Sequence, residues 1–217
     1  MVEVLDEAIR KVWNTLRFGE TVLIEHVSTT SPALGLYHLT SWARDRGYRV
    51  VIDDILDTLH LYRTHLKAMG MDTSVIDGAT VIKEGGTINV GQVKRRISLK
   101  EVSIRKSEYS QVYEPLLEDG NVISPVLGIG KLFLISESKR EALSLLNSIL
   151  ASTGDERRIM FYFLNVDLIN TCCPYVLPLL EELATTVISL NKEGRSVKLM
   201  IRKSVNNRID GIEITLR

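Results

Sequence analysis

Residues 22–72, VLIEHVSTTSPALGLYHLTSWARDRGYRVVIDDILDTLHLYRTHLKAMGMD, carry the reading that decides the fold. Thr21 to Ile24 is a short apolar run with the character of a buried strand, and the polar stretch HVSTTS follows it. Ser31 suits the N-cap of a helix and Pro32 its first turn, where a missing N–H does no harm. That helix is expected to run to about Arg46 and to stop at Gly47, with Arg49 to Ile52 as the next buried strand. A further helix, Leu56 to Met69, closes at Gly70. The order β-α-β-α in so short a span predicts a parallel sheet with right-handed crossovers.

Outward from this unit the pattern continues. Leu5, Ala8, Ile9, Val12, Trp13 and Leu16 share one face of a helix predicted over Val4 to Arg17. Residues 79–104, ATVIKEGGTINVGQVKRRISLKEVSI, are rich in β-branched residues and glycine and lack a helical period, which predicts short strands joined by tight turns. The expectation is a β-rich insertion over about residues 74–113. After Pro125 the helical pattern returns, with Ser136 or Ser138 as cap of a helix through Leu150. Arg158 to Leu164 (RIMFYFL) is a central strand buried on both faces. A helix over about Pro174 to Thr185 and three strands, Thr186 to Leu190, Ser196 to Arg202 and Ile209 to Leu216, complete the reading, with hairpin-type turns between the strands. The whole chain, 1–217, is expected to be one α/β domain with a mainly parallel sheet and an antiparallel C-terminal extension.

Composition narrows the function. Lys+Arg and Asp+Glu are equal at 27 each, so no global field draws the protein to nucleic acid or an anionic membrane. With 45% hydrophobic and 25% charged residues it is too apolar for extended disorder. The first twenty residues alternate charge with apolar residues and lack the continuous apolar block of a signal peptide or membrane span, so the default expectation is a cytoplasmic protein. Cys172 and Cys173 are adjacent, which neither staples distant segments nor makes a zinc site; they read as reduced thiols.

The segment 22–72 resembles the opening of KaiC-type RecA-like ATPases: a strand, a phosphate loop, a helix ending near glycine, a second strand with acidic residues, then another helix. The resemblance implies a three-layer αβα sandwich. In the pattern G-x-x-x-x-G-K-[ST] glycines let the backbone wrap phosphate, lysine neutralises charge and the hydroxyl holds magnesium. In register here the glycines become His26 and Ser31, the lysine Pro32 and the hydroxyl residue Ala33. Loss of one such electrostatic support costs roughly 3 kcal/mol of barrier, so ordinary ATP hydrolysis is not expected.

The remaining candidates for binding are His26, Ser28, Thr29, Thr30 and Ser31, polar groups beside a helix N-terminus that either cap the helix or hold an anion. Asp53 and Asp54 stand where the resemblance implies an acidic pair, read here as a residual pair or a strand-end turn. Asp167, with Asn165 before it, lies roughly where the resemblance implies a magnesium-coordinating aspartate, and Arg202 and Lys203 where it implies a cross-subunit contact to nucleotide. No catalytic residue, cofactor or metal ligand set is read from the sequence. Lys94, Arg95, Arg96, Lys100, Arg105 and Lys106, with Tyr109 and Tyr113, form a basic stretch interrupted by Glu101, Glu108 and Glu114. Together with FLNVDLIN, the chain resembles an uncharacterised archaeal family of heat-loving organisms related to KaiC. The expected function is binding of a protein or peptide partner, or self-association, without catalysis. The alternatives are an atypical nucleotide or anion binder and, third, a recombinase-like DNA-binding protein.

Overall fold

The computed structural model describes residues 2–99, 102–194 and 196–216, with only the backbone described for residues 2–7 and 216. Lys100 and Glu101 of the basic stretch, and the side chain of Leu5 on the first helical face, lie outside what is described. Among the described residues nine strands form one sheet in the order β4-β3-β2-β5-β6-β1-β7-β8-β9. The strands are β1 (Thr21–His26), β2 (Arg49–Ile55), β3 (Thr80–Glu84), β4 (Gln92–Ile97), β5 (Val122–Leu127), β6 (Arg158–Asn165), β7 (Thr186–Glu193), β8 (Ser196–Ser204) and β9 (Glu213–Leu216). All pairings from β4 across to β7 are parallel, and β8 and β9 add on antiparallel.

Helices cover both faces. On one side α1 (Val2–Trp13), α2 (Ala33–Asp45), α3 (Thr58–Ala68) and the short α4 (Ser74–Asp77) pack Ile9, Trp13, Leu36, Leu39, Leu59 and Leu66 onto Ile24, Ile52, Val81, Phe161 and Phe163. On the other side α5 (Val102–Tyr113), α6 (Ile129–Leu134), α7 (Lys139–Leu150), α8 (Val166–Cys172) and α9 (Val176–Leu183) cover Val51, Ile82, Val126, Met160, Leu164 and Val187. Alternate residues of each strand thus feed opposite cores, and the central strands read as continuous apolar runs because both faces are covered.

The expected β-α-β-α unit is present, with one shift of consequence: β2 continues to Ile55, so Asp53 and Asp54 lie within the strand. The middle differs more. β3 and β4 belong to the main sheet and pair in parallel across the link 85–91, and residues 102–113, expected as strands and turns, form a helix. Ser138 caps α7, its side chain accepting from the Glu141 amide. At α2 the N-cap is Pro32 with no side-chain cap, and Ser31 precedes it. β5 carries Pro125 between two neighbouring strands, a residue whose missing N–H argues against a central strand and hides it from sequence reading.

Candidate functional site

Ser28 and Ser31 of the polar loop between β1 and α2 are bonded within the protein. Ser28 N donates to Asp167 Oδ2 at 2.8 Å, and the Ser28 hydroxyl meets the Asn165 side chain, Nδ2 donating to Oγ at 3.1 Å. This places a carboxylate of the protein on an amide that an anion would otherwise claim. Asn165 caps α8 through the amides of Asp167 and Leu168, and the Ser28 amide holds the Asp167 carboxyl below the ordinary carboxylate range. Ser31 Oγ lies 2.8 Å from His65 Nδ1. The Thr30 amide closes a turn onto Val27 O at 3.0 Å, and its buried hydroxyl has no hydrogen-bond partner among the described residues. Thr29 is exposed. His26 is buried at the end of β1, and burial lowers its proton affinity, opposed by the Val27 carbonyl and Asp167. Its ring is therefore biased toward the neutral form, away from the cation that would pair with phosphate.

Asp53 and Asp54 are not brought to this loop. Two strands, β5 and β6, separate β1 from β2, about 14 Å across the sheet at the usual strand spacing. Nor do the two aspartates act together, because adjacent strand residues face opposite sides. Asp54, fully buried, faces α3, where it accepts from the Leu59 amide at 2.8 Å and contacts the Lys83 ammonium, also fully buried. Lys83 reaches a second carboxylate, Asp57, at 2.8 Å, and Asp57 accepts the amides of Thr87 and Ile88 at 2.8 and 3.0 Å. Burial opposes the Asp57 charge, but Lys83 and the two amides outweigh it and hold the carboxyl down at about 2. The clamp sustains two consecutive left-handed residues, Leu56 (φ 50°) and Asp57 (φ 58°), a conformation that costs about 1–3 kcal/mol per residue and persists only where surrounding contacts outweigh that cost.

Asp53 faces the other side, into a cavity of about 270 Å³ between the sheet and α5, α6 and α7. Glu84 lies beside it and pairs with the buried Arg105 of α5, Nε to Oε2 3.0 Å. Tyr113 contacts Ser124 and supports the Arg158 guanidinium 4.9 Å above its ring. Burial pushes the Asp53 carboxyl well above its ordinary 3.8, and the neighbouring Glu84 charge adds to the shift; burial likewise raises Glu84, against the pull of Arg105. The folded protein thus holds a proton here that the unfolded chain releases near pH 4. Stability from this group is full below that pH and declines as pH rises toward the folded value. Asp53→Asn, which mimics the protonated acid, is expected to remove that decline. In thermal unfolding from pH 4 to pH 8, the variant should gain on the wild type as pH rises; a constant difference would refute the assignment.

The other named residues are engaged elsewhere. Arg202 bridges Glu25 and Glu181 at 2.8 Å each, and Lys203 donates to the Glu181 and Glu182 carbonyls, so both serve contacts within the chain. Glu25 is pushed up to about 7 by burial and by Glu181, against the pull of Arg202. Arg96 is tied to Gly86 O, Thr87 O and Asn89, and Arg105 points inward, so the basic stretch does not form one surface. Cys172 and Cys173 are free thiols; burial, with Cys173 beside it, pushes Cys172 up to about 11, away from nucleophilic character. Sequence reading missed Lys83, Glu84, Asp57 and Arg158. Its available signal was a pair of charged residues, Lys83 and Glu84, inside an otherwise apolar strand, in step with Asp54 and Ile55 of its neighbour.

A mainly parallel nine-stranded sheet covered by helices on both faces, with a polar loop between the first strand and its helix, has the KaiC/RecA-like fold. Two solved structures share this fold: the KaiC-like protein PH0186 from Pyrococcus horikoshii OT3 (TM-score 0.60, 13% identity, 91% of this chain and 84% of that one) and the flagellar accessory protein FlaH from Methanocaldococcus jannaschii (TM-score 0.58, 14% identity, 98% and 91%). Within that class the chain belongs to the family described as Pyrococcus protein of unknown function, DUF257, which matches residues 11–215. A Pyrococcus horikoshii OT3 protein, solved in a structural study of project PH0250, is 33% identical over 94% of this chain and 96% of its own, with a TM-score of 0.82. No curated protein matches the sequence. No helix among the described residues is long and apolar enough to cross a membrane.

Proposed function

We propose that this chain is a KaiC-like protein whose phosphate loop has degenerated, and that it works by binding a protein or peptide partner, or a second copy, in place of hydrolysing ATP. The observation that carries the reading is the self-satisfied loop: Asp167 occupies the Ser28 amide and His65 the Ser31 hydroxyl. Pro32 and Ala33 stand where the resemblance puts the cation and the magnesium hydroxyl. A carboxylate seated at the loop repels a phosphate, and Pro32 carries no cation in place of the lysine. The edge strand β4 offers unpaired backbone with Lys94 and Arg95 exposed, which suits an extended acidic segment added to the sheet.

With magnesium and ATP, the purified protein is expected to show turnover no higher than buffer, and Asp53→Asn and Asp54→Asn should leave that background unchanged. Hydrolysis that falls with either substitution would overturn the proposal. The second reading, an anion or nucleotide held by Ser28 to Ser31, draws on the unpartnered Thr30 hydroxyl beside the start of α2. Recombinase-like DNA binding stands third, because the charges balance and Arg105 is turned inward.

A further inference from the structure

The cavity under α5, α6 and α7 has features of a built ligand site, and it lies away from the loop. Its volume of about 270 Å³ far exceeds the roughly 10–15 Å³ that one water needs on the same measure. Its walls are of two kinds. Ile129, Leu132, Leu145 and Ile149 line it from α6 and α7, and Tyr109 lines it from α5, in parallel-stacked contact with Tyr113, ring centroids 5.1 Å apart. Its floor is the sheet face that carries Asp53.

One of its polar groups is more than nine-tenths buried and lacks a hydrogen-bond partner among the described residues: Asp53 Oδ1, on a residue 6% exposed. A buried acceptor left unpaired is costly, and a ligand donor would recover that cost. The charges around Asp53 show which donor. Arg105, the cation whose charge acts on it, is spent on Glu84, and Arg158 lies 3.3 Å from Asp155 and over the Tyr113 ring. The two neighbouring carboxyls therefore share a single cation, and the Tyr109 ring, which lines the cavity, favours a further positive group.

We propose that this cavity binds a small organic cation, an ammonium or amidinium carried on an apolar or aromatic body, with its N–H groups on Asp53 Oδ1 and Glu84 and its body against Tyr109, Leu145 and Ile149. The cation replaces the proton that the Asp53–Glu84 pair otherwise retains. Entry is from the side of Lys106, Ser110 and Glu114, the more exposed lining residues of α5 and the turn after it. This inference goes beyond the proposed partner binding and does not depend on the loop.

The test is calorimetric titration of the full chain with phenethylamine, tryptamine and benzamidine, set against phenethyl alcohol and 3-phenylpropionate as neutral and anionic counterparts. At least one of the three cations is expected to bind saturably, about tenfold or more tighter than both counterparts, in line with one charged hydrogen bond. Asp53→Asn, isosteric with the protonated acid, should fold and lose that preference. Ser148→Phe, which fills the cavity from α7 without touching the charged pair, should abolish binding of the body itself. Absence of saturable binding by all three cations at millimolar concentration, equal binding of the alcohol, preference for the carboxylate, or cation binding that survives both substitutions would overturn the proposal. An inactive loop would leave each of these outcomes unaffected, so the two proposals fail separately.

Discussion

Lys83→Met is expected to destabilise the protein by about 3–5 kcal/mol, the cost of breaking a buried ion pair from one side. Lys83 and Asp54 are both fully buried, and the same ammonium holds Asp57 at 2.8 Å. Methionine fills the space but leaves Asp54 in the α3 core with the Leu59 amide and the Lys131 charge as its remaining support, and it releases Asp57 from one of its three hydrogen-bond partners. For a chain of this length the thermal midpoint should fall on the order of 10 °C. Lys83→Met combined with Asp54→Asn should recover part of the loss, because it removes the stranded charge. A loss under about 1 kcal/mol for the single variant would mean that the ammonium does not bind these carboxylates in the folded protein.

A second large effect is expected at Gly128, the left-handed residue (φ +83°) that joins β5 to α6. A Cβ there would stand 2.3 Å from Thr58 Oγ1 and 2.8 Å from the backbone oxygen of Ile55. Thr58 is itself fixed by its 2.6 Å bond to Ile55 O, so neither atom gives way without moving the turn that Asp57 and Lys83 define. Gly128→Ala combines the left-handed penalty with overpacking, roughly 2–4 kcal/mol. Gly47→Ala separates the two: Gly47 has φ +72° but nothing within 4 Å of the added carbon, so it should show only the conformational part. Equal losses in urea unfolding at the two positions would refute the close approach at Gly128.

The parts of the fold that were legible in the sequence are those where one physical signal dominates. The unit from β1 to α3 reads correctly because glycines at 47 and 70 punctuate it and apolar runs mark its strands. The helix α5 was hidden because two of its three buried positions, Arg105 and Tyr113, are polar or amphipathic, so hydrophobic periodicity fades where the site needs a buried guanidinium. β5 was hidden by Pro125. The link 85–91 between parallel strands is shorter than the usual crossover, which made a tight-turned meander the natural reading.

The candidate site followed the same logic. Asp53 and Asp54 are visible as a charged pair in an apolar strand, but their divergence to opposite cores depends on how far β2 extends. Glu84, Arg105 and Arg158 come to Asp53 from β3, α5 and β6, through packing that no local spacing encodes. At the loop, the sequence shows His26, Ser31, Pro32 and Ala33 at the positions that the resemblance gives to phosphate binding. The loop's occupation by Asp167 and His65, from 139 and 34 residues away, was not legible.

The central claim, that the loop no longer serves nucleotide, is tested most directly by calorimetric titration of the wild-type protein with ATP, ADP and GTP in the presence of magnesium. No saturable heat is expected at millimolar nucleotide. Saturable binding that weakens when Ser28 or Ser31 is replaced by alanine would contradict it.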